Sequence, residues 1–328
     1  MSDASPSTRV ASPADKPAVL AVARLSPLLV PQLNAAFKLH DRSNETEPDA
    51  FVATAPSIRA IAASGESKVG ADLLARLPAL EIISVMGVGY DGIDVAAAKA
   101  RGVVVTHTPN VLNDDVADLA LGLMLCAARQ LPSADRYVRA GEWPKGPMPL
   151  ARKMAGARLG LVGMGRIGQA IAQRALAFGM SVAYTSRNPR PGVPYRHLPS
   201  ATTLASECDF LVVITPGGAA TRHLINAEVL TALGSQGFLI NVARGSVVDE
   251  AALIDALERG VIAGAGLDVF ENEPQVPERL RALPQVVLTP HIGSATGQTR
   301  QAMADLAAAN LLAHFAGRPL PSPVPECQ

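Results

Sequence analysis

Three short stretches of this chain end in side chains suited to acid–base work on an anionic substrate. Phe238–Val242 is an apolar run followed by Ala243 and Arg244. Ile262–Leu267 is followed by Asp268, with Glu271 and Glu273 just beyond. Val286–Thr289 is followed by Pro290 and His291. Each reads as a buried strand running into a loop, and ligands of open α/β sheets bind beyond the carboxyl ends of strands. A guanidinium grips a carboxylate through two parallel N–H bonds and polarises a neighbouring carbonyl. An imidazole titrates near operating pH and can hand a proton to an oxygen on which charge develops. A carboxylate on the other ring nitrogen would hold the tautomer and favour the protonated form. Singly, each residue has a plain structural reading: a packed His, an ion-paired Arg, a turn at Glu273-Pro274. Together they fit reduction of a carbonyl, where hydride reaches carbon and a proton must reach oxygen.

Hydride chemistry needs a dinucleotide, and the chain has a place for one. Leu159, Leu161 and Val162 form a short apolar run. Gly163-Met164-Gly165-Arg166-Ile167-Gly168 is a G-x-G-x-x-G turn, and Ile167, Ala170, Ile171, Ala175 and Phe178 then recur at helical spacing. The first glycine allows the turn, the second lets backbone approach a pyrophosphate, and the third lets helix and strand pack closely. Phosphates then sit at the helix N-terminus. An acid about 20 residues further on would accept from the ribose 2′-OH of NAD. Here Val182-Ala183-Tyr184-Thr185 runs into Ser186-Arg187-Asn188 with Arg190 following, and no carboxylate. Ser186 and Arg187 would bind a 2′-phosphate, so the sequence predicts NADPH, with NADH the weaker alternative.

Along the chain the elements alternate. Strands are expected at 19–22, 58–63, 81–86 and 103–106, with helices at 27–37, 71–77 and 94–100. A long, mostly apolar helix follows over 114–130, acidic at its start as a helix dipole favours. Residues 141–155 read as a loop holding Trp143. Further strands are expected at 182–185 and 210–214, helices at 249–259 and 298–315, and a Pro-rich tail at 318–328. Such alternation gives an α/β chain with parallel sheets. It suggests two Rossmann-like or flavodoxin-like domains with a cleft between them: 18–106 plus 298–328 as substrate domain and 107–297 as dinucleotide-binding domain. Residues 1–17 read as a disordered tail.

Composition excludes other classes. The chain has 328 residues, 48% hydrophobic and 18% charged, with formal net charge zero. It has no dense basic run for nucleic acid. Cys126, Cys208 and Cys327 fit no metal or disulfide framework, which suits a reducing cytoplasm. The apolar run Leu119–Ala128 is too short to span a bilayer.

Four motifs in order carry a resemblance: Gly163–Gly168, Asn241–Glu250, Gly266–Pro274 and Thr289–Thr296, joined by Gly87–Asp94 in the N-terminal half. Over roughly 55–315 the chain resembles the D-isomer specific 2-hydroxyacid dehydrogenase family, in its glyoxylate/hydroxypyruvate reductase branch. The resemblance implies reduction of a small 2-keto acid, with glyoxylate or hydroxypyruvate the first expectation and hydroxyphenylpyruvate the alternative. It implies that Arg244 binds the substrate carboxylate and carbonyl, His291 is proton donor and acceptor, and Glu273 orients His291. The amides of Val88 and Gly89 would hold the carboxylate, and Asp268 the nicotinamide carboxamide. Gly163, Gly165, Arg166, Ile167, Gly168, Ser186, Arg187, Thr215, Pro216, Val242, Ala243, Arg244, Asp268, His291 and Gly293 would line the cofactor. It also implies a homodimer; composition, not the resemblance, argues against nucleic-acid, membrane and metal partners. Ala62 to Glu66, Met86 and Met148 are expected round the substrate side chain, with no cation for a dicarboxylate. The different-class alternative is a dinucleotide-sensing binding module without turnover.

Overall fold

A computed structural model describes residues 16–42 and 53–328. The chain forms two compact units, Met1–Pro109 with Arg300–Gln328, and Asn110–Thr299. Each holds one sheet, and every pairing in both sheets is parallel.

The first unit is built on β1 (Ala18–Ala21), β2 (Lys38–Asp41), β3 (Ile58–Ser64), β4 (Ile82–Met86) and β5 (Val104–Thr106), in the order β2-β1-β3-β4-β5. β4 is buried along its whole length, as a strand covered on both faces must be. β2 has no apolar pattern, and the sequence did not predict it. It is a half-exposed edge strand, and charged residues blunt an edge against further pairing. Lys16 and Pro17 are tied in, Lys16 Nζ donating to Ala35 O at 2.8 Å and Pro17 O accepting from Lys38 N. The rest of the expected tail, residues 1–15, lies outside the described residues.

The Pro-rich C-terminal stretch is not a loose tail. Pro323 bridges Thr106, and Val324 is fully buried. Asn310 and Ser322 bond each other twice, and Ser322 Oγ donates to His107 O at 2.6 Å. These buried polar groups are paired, so the prolines run over the sheet as a strap.

The second unit contains β6 (Arg158–Val162), β7 (Ser181–Thr185), β8 (Arg196–His197), β9 (Phe210–Val213), β10 (Phe238–Asn241), β11 (Gly264–Leu267) and β12 (Val286–Leu288), in the order β12-β11-β10-β9-β6-β7-β8. The reversal between β6 and β9 is the topological switch point of a doubly wound sheet. The helix Asn113–Arg129 buries Val116, Ala120, Leu123, Met124 and Ala127 and contacts β10 and β11. Gln130, in the left-handed region at φ 53°, ends it. A second helix, Leu131–Arg139, starts directly, with Pro132 in its first turn. The sequence did not predict that helix. Trp143 beyond it is 67% exposed, so within this chain it is not a buried anchor.

Candidate active site

Asn241 of β10 pairs with Leu267 of β11, and Leu267 with Leu288 of β12. The three strands therefore end level, and the loops that follow them leave one edge of one sheet. Arg244, Asp268–Glu273 and His291 all lie on those loops. His291 Nδ1 stands 2.7 Å from Glu273 Oε2. The other carboxylate oxygen, Oε1, accepts from Phe270 N at 2.9 Å. Burial pushes the Glu273 carboxyl up. The His291 bond, the Phe270 N–H and the charges of His291 and Arg244 outweigh it and hold the carboxyl below its usual value. Glu273 is thus an anion when His291 gains a proton. Arg244 is half-buried, and its Nη1 donates to Ala243 O at 2.8 Å.

Asp268 directly follows β11. It is only 2% exposed. Its Oδ1 accepts from Thr289 Oγ1 at 2.7 Å and Ile292 N at 2.8 Å, and its Oδ2 from Gly293 N at 2.8 Å. Asp268 O accepts from His291 N at 2.9 Å. Both oxygens are therefore engaged in clamping the loop on either side of His291. Burial raises the Asp268 carboxyl above its usual value against those bonds. His291 sits in the left-handed region at φ 52°.

The Arg244 loop is wedged in place. A Cβ on Gly245 would fall 1.9 Å from the Phe270 carbonyl carbon and oxygen, so only glycine lets these two loops touch. Glu271, next to Phe270, accepts from Arg222 Nη2 and His223 Nε2, each at 3.0 Å. His223 N in turn donates to Ser246 O at 2.9 Å. The loops after β9, β10 and β11 are thus laced together around Arg244. Sequence reasoning missed Arg222 and His223, because their partner Glu271 is distant in the chain and no motif links them.

The glycine turn meets a dinucleotide's demands. Gly163 has φ 111°, and a Cβ there would lie 2.7 Å from Ile214 O. A Cβ on Gly168 would lie 2.5 Å from Gly163 O, whereas Gly165 faces open space. No side chain caps the helix Arg166–Ala177, so its first N–H groups are open to a phosphate. Thr215 and Pro216 follow β9 after Ile214 at the switch point, with Pro216 O accepting from Thr221 Oγ1. Val242 and Ala243 are buried below the β10 edge. At the end of β7, Ser186 Oγ donates to Asn188 O at 2.7 Å and its carbonyl meets His197 Nε2 at 3.1 Å. Arg187 is exposed and makes no ion pair among the described residues.

In the first unit, Val88 and Gly89 follow β4. Val88 O meets His107 Nδ1 at 3.0 Å. Among the described residues neither the Val88 nor the Gly89 N–H has an acceptor. The expected Ala63, Ser64 and Met86 line a cleft at this edge, together with Arg24 and Arg300, which the sequence reading had not placed there.

The family model for the D-isomer specific 2-hydroxyacid dehydrogenase NAD-binding domain matches residues 121–293, more than half of the chain. This chain belongs to that family. It is 47% identical over 307 residues to hydroxyphenylpyruvate reductase of Plectranthus scutellarioides, covering 93% of this chain and 98% of the relative. It is 50% identical over 268 residues to glyoxylate/hydroxypyruvate reductase A of Arabidopsis thaliana, covering 82% and 86%. Among solved structures, the NADPH-dependent glyoxylate/hydroxypyruvate reductase of Sinorhizobium meliloti, in complex with NADP and malonate, superposes with a TM-score of 0.90 at 46% identity, over 95% of this chain and 98% of that one. Among the described residues no helix is long and apolar enough to cross a membrane.

Proposed function

We propose that the protein is an NADPH-dependent reductase of small 2-keto acids, glyoxylate and hydroxypyruvate, giving D-2-hydroxy acids. The observation that carries the reading is the 2.7 Å His291–Glu273 pair, held with Arg244 on the level ends of three adjacent strands of a dinucleotide-binding unit. The Sinorhizobium meliloti and Arabidopsis thaliana relatives, by their names, act on these acids.

The bound nicotinamide supplies the hydride. Arg244 grips the substrate carboxylate and draws electron density towards the carbonyl oxygen, which lowers the barrier at carbon. His291 delivers a proton to that oxygen from Nε2 while its Nδ1–H stays on Glu273, so charge created on the imidazole has an anion beside it. Val88 and Gly89 offer unsatisfied N–H groups to the carboxylate from the substrate domain. Asp268 clamps the His291 loop and keeps an acceptor site on Oδ2 for the nicotinamide carboxamide. Ser186 and Arg187 take the 2′-phosphate of NADPH, since the loop after β7 offers that phosphate a cation and no carboxylate. Leu131, Val138, Trp143 and Leu150, each at least 46% exposed, supply the apolar surface for a homodimer. The cytoplasm is the compartment.

Steady-state oxidation of NADPH and of NADH with glyoxylate, hydroxypyruvate and hydroxyphenylpyruvate tests the reading. NADPH-preferring turnover of the two small acids supports it. Turnover of hydroxyphenylpyruvate alone would establish the second reading, which the 47% identical Plectranthus scutellarioides relative favours. Tight cofactor binding with no turnover of any acid would leave a sensing module.

A further inference from the structure

The first unit carries a cleft of its own at the carboxyl edge of its sheet. It measures about 480 Å³, within the range of small-ligand sites. Arg24 lies beyond β1, Ala63 and Ser64 close β3, and Met86 closes β4. Ser26 and Arg300 complete the wall, and every one of these residues belongs to the first unit. No lining residue is acidic.

The two arginines set the chemistry. Some surface arginines of this chain find carboxylates, as Arg59 does in Glu81, Arg139 in Asp135 and Arg279 in Glu258, and others such as Arg187 do not among the described residues. Arg24 and Arg300 have no ion pair and no side-chain hydrogen bond among the described residues, although Arg300 is half-buried. Two arginines and no acid on one cleft give it a positive lining that favours an anion. Ser26 adds a hydroxyl whose own hydrogen remains available, since its Oγ accepts from Leu28 N, while the Ser64 hydroxyl is shared with Ser67 Oγ at 3.2 Å. Fork-shaped donors of this kind match a carboxylate with two parallel bonds.

We propose that this cleft is a subsite for a second carboxylate at the distal end of the substrate, so that the enzyme also reduces 2-oxo dicarboxylates. The proposal rests on the reading that the protein is a 2-keto acid reductase with Val88 and Gly89 on the substrate's first carboxylate. Met86 lines the cleft, and Gly87 leads from it directly to those two amides. A substrate held there by its reacting end meets this cleft with its tail. Glyoxylate has no tail and leaves the cleft to water, whereas a five- or six-carbon diacid brings Arg24 and Arg300 the anion that the chain itself does not.

The test compares glyoxylate with 2-oxoglutarate and 2-oxoadipate as acceptors for the parent, Arg24→Met, Arg300→Met and Arg300→Lys. Each methionine variant is expected to lower kcat/KM for the diacids by about tenfold or more, as loss of a charged hydrogen bond does, mainly through KM. Glyoxylate turnover should stay within about twofold, which shows that the variants are folded. Arg300→Lys keeps a charge and should recover part of the diacid activity. A parent that reduces glyoxylate but neither diacid overturns the subsite. So does an equal loss on glyoxylate and diacids, which would place the arginines at the shared reacting end. If the parent reduces none of the three acids, the underlying reductase reading fails instead.

Discussion

Replacing Glu273 by glutamine isolates what the carboxylate does for His291. The carboxylate accepts two hydrogen bonds, one per oxygen: from His291 Nδ1 at 2.7 Å and from Phe270 N at 2.9 Å. An amide of the same shape has one acceptor oxygen. If that oxygen keeps Phe270, the NH₂ faces Nδ1 and forces the ring proton to Nε2. If it turns to His291, the Phe270 N–H is orphaned. In the first case the bond survives only with a neutral ring, in the second the Phe270 N–H is lost, and in both the anion beside the imidazole is gone. A hydrogen bond to a charged group contributes about 1.5–3 kcal/mol, and 1.36 kcal/mol corresponds to one pH unit. The variant's imidazole should therefore hold its proton less firmly. Reduction kcat/KM at pH 7 should fall about 10- to 100-fold, with the alkaline limb of its pH profile moved to lower pH. The assay is the pH profile of keto-acid reduction from pH 5 to 9, with NADPH affinity followed by fluorescence. A profile superimposable on the parent's would falsify the pairing argument. Loss of cofactor affinity with an unmoved limb would make Glu273 a structural residue of the cofactor site.

Other perturbations probe other links of the argument. Arg187→Asp should raise KM for NADPH by about tenfold or more and leave or improve that for NADH, since a carboxylate repels a 2′-phosphate and accepts from a ribose 2′-OH; unchanged cofactor kinetics would move selectivity away from β7. Gly245→Ala adds a methyl into a space that ends 1.9 Å away on Phe270, so it should lower kcat/KM for every acid tested and cost about 1–3 kcal/mol in denaturant unfolding. Asp209 is held below the usual carboxylate range, chiefly by its hydrogen bonds with Arg158, against burial. Its folded pKa is thus lower than its unfolded one, so its stabilisation is full above about pH 4 and lost as pH falls through the folded value. Asp209→Asn should therefore destabilise the chain by about 1–3 kcal/mol at pH 7, with the deficit closing in acid. A deficit independent of pH would mean that packing, not charge, is at stake.

How far the sequence could be read depended on how local each signal was. The glycine turn is legible because its demands fall on six consecutive residues, and the close approaches at Gly163 and Gly168 are the ones such a turn requires. Arg244, Glu273 and His291 could be grouped because each follows an apolar run. Their convergence needed the level register of β10, β11 and β12, which no single run contains. β2 and β8 escaped because edge strands need no apolar alternation, and Arg196–His197 is only two residues long. The C-terminal strap was read as a tail from its prolines, while its anchors are Ser322 and Val324 against distant partners. The role expected of Asp268 came from the resemblance, and no sequence window showed that it also accepts from Thr289 Oγ1, Ile292 N and Gly293 N. Arg24 and Arg300 stand at opposite ends of the chain, so no sequence window could place them on one cleft.

The left-handed backbone at His291 sets two kinds of selection against each other. A side chain with a Cβ pays roughly 1–2 kcal/mol to hold φ near 52°, whereas glycine holds it freely and asparagine with little penalty. The Asp268 carbonyl fixes that backbone from outside the side chain, through the His291 N–H at 2.9 Å, so the conformation would survive replacement. A library randomised at position 291 and sorted for heat resistance alone should therefore enrich glycine and asparagine. The same library sorted for turnover should return histidine. If heat sorting also returned histidine, the bond to Glu273 would outweigh the backbone strain, and this loop would be as robust as it is reactive.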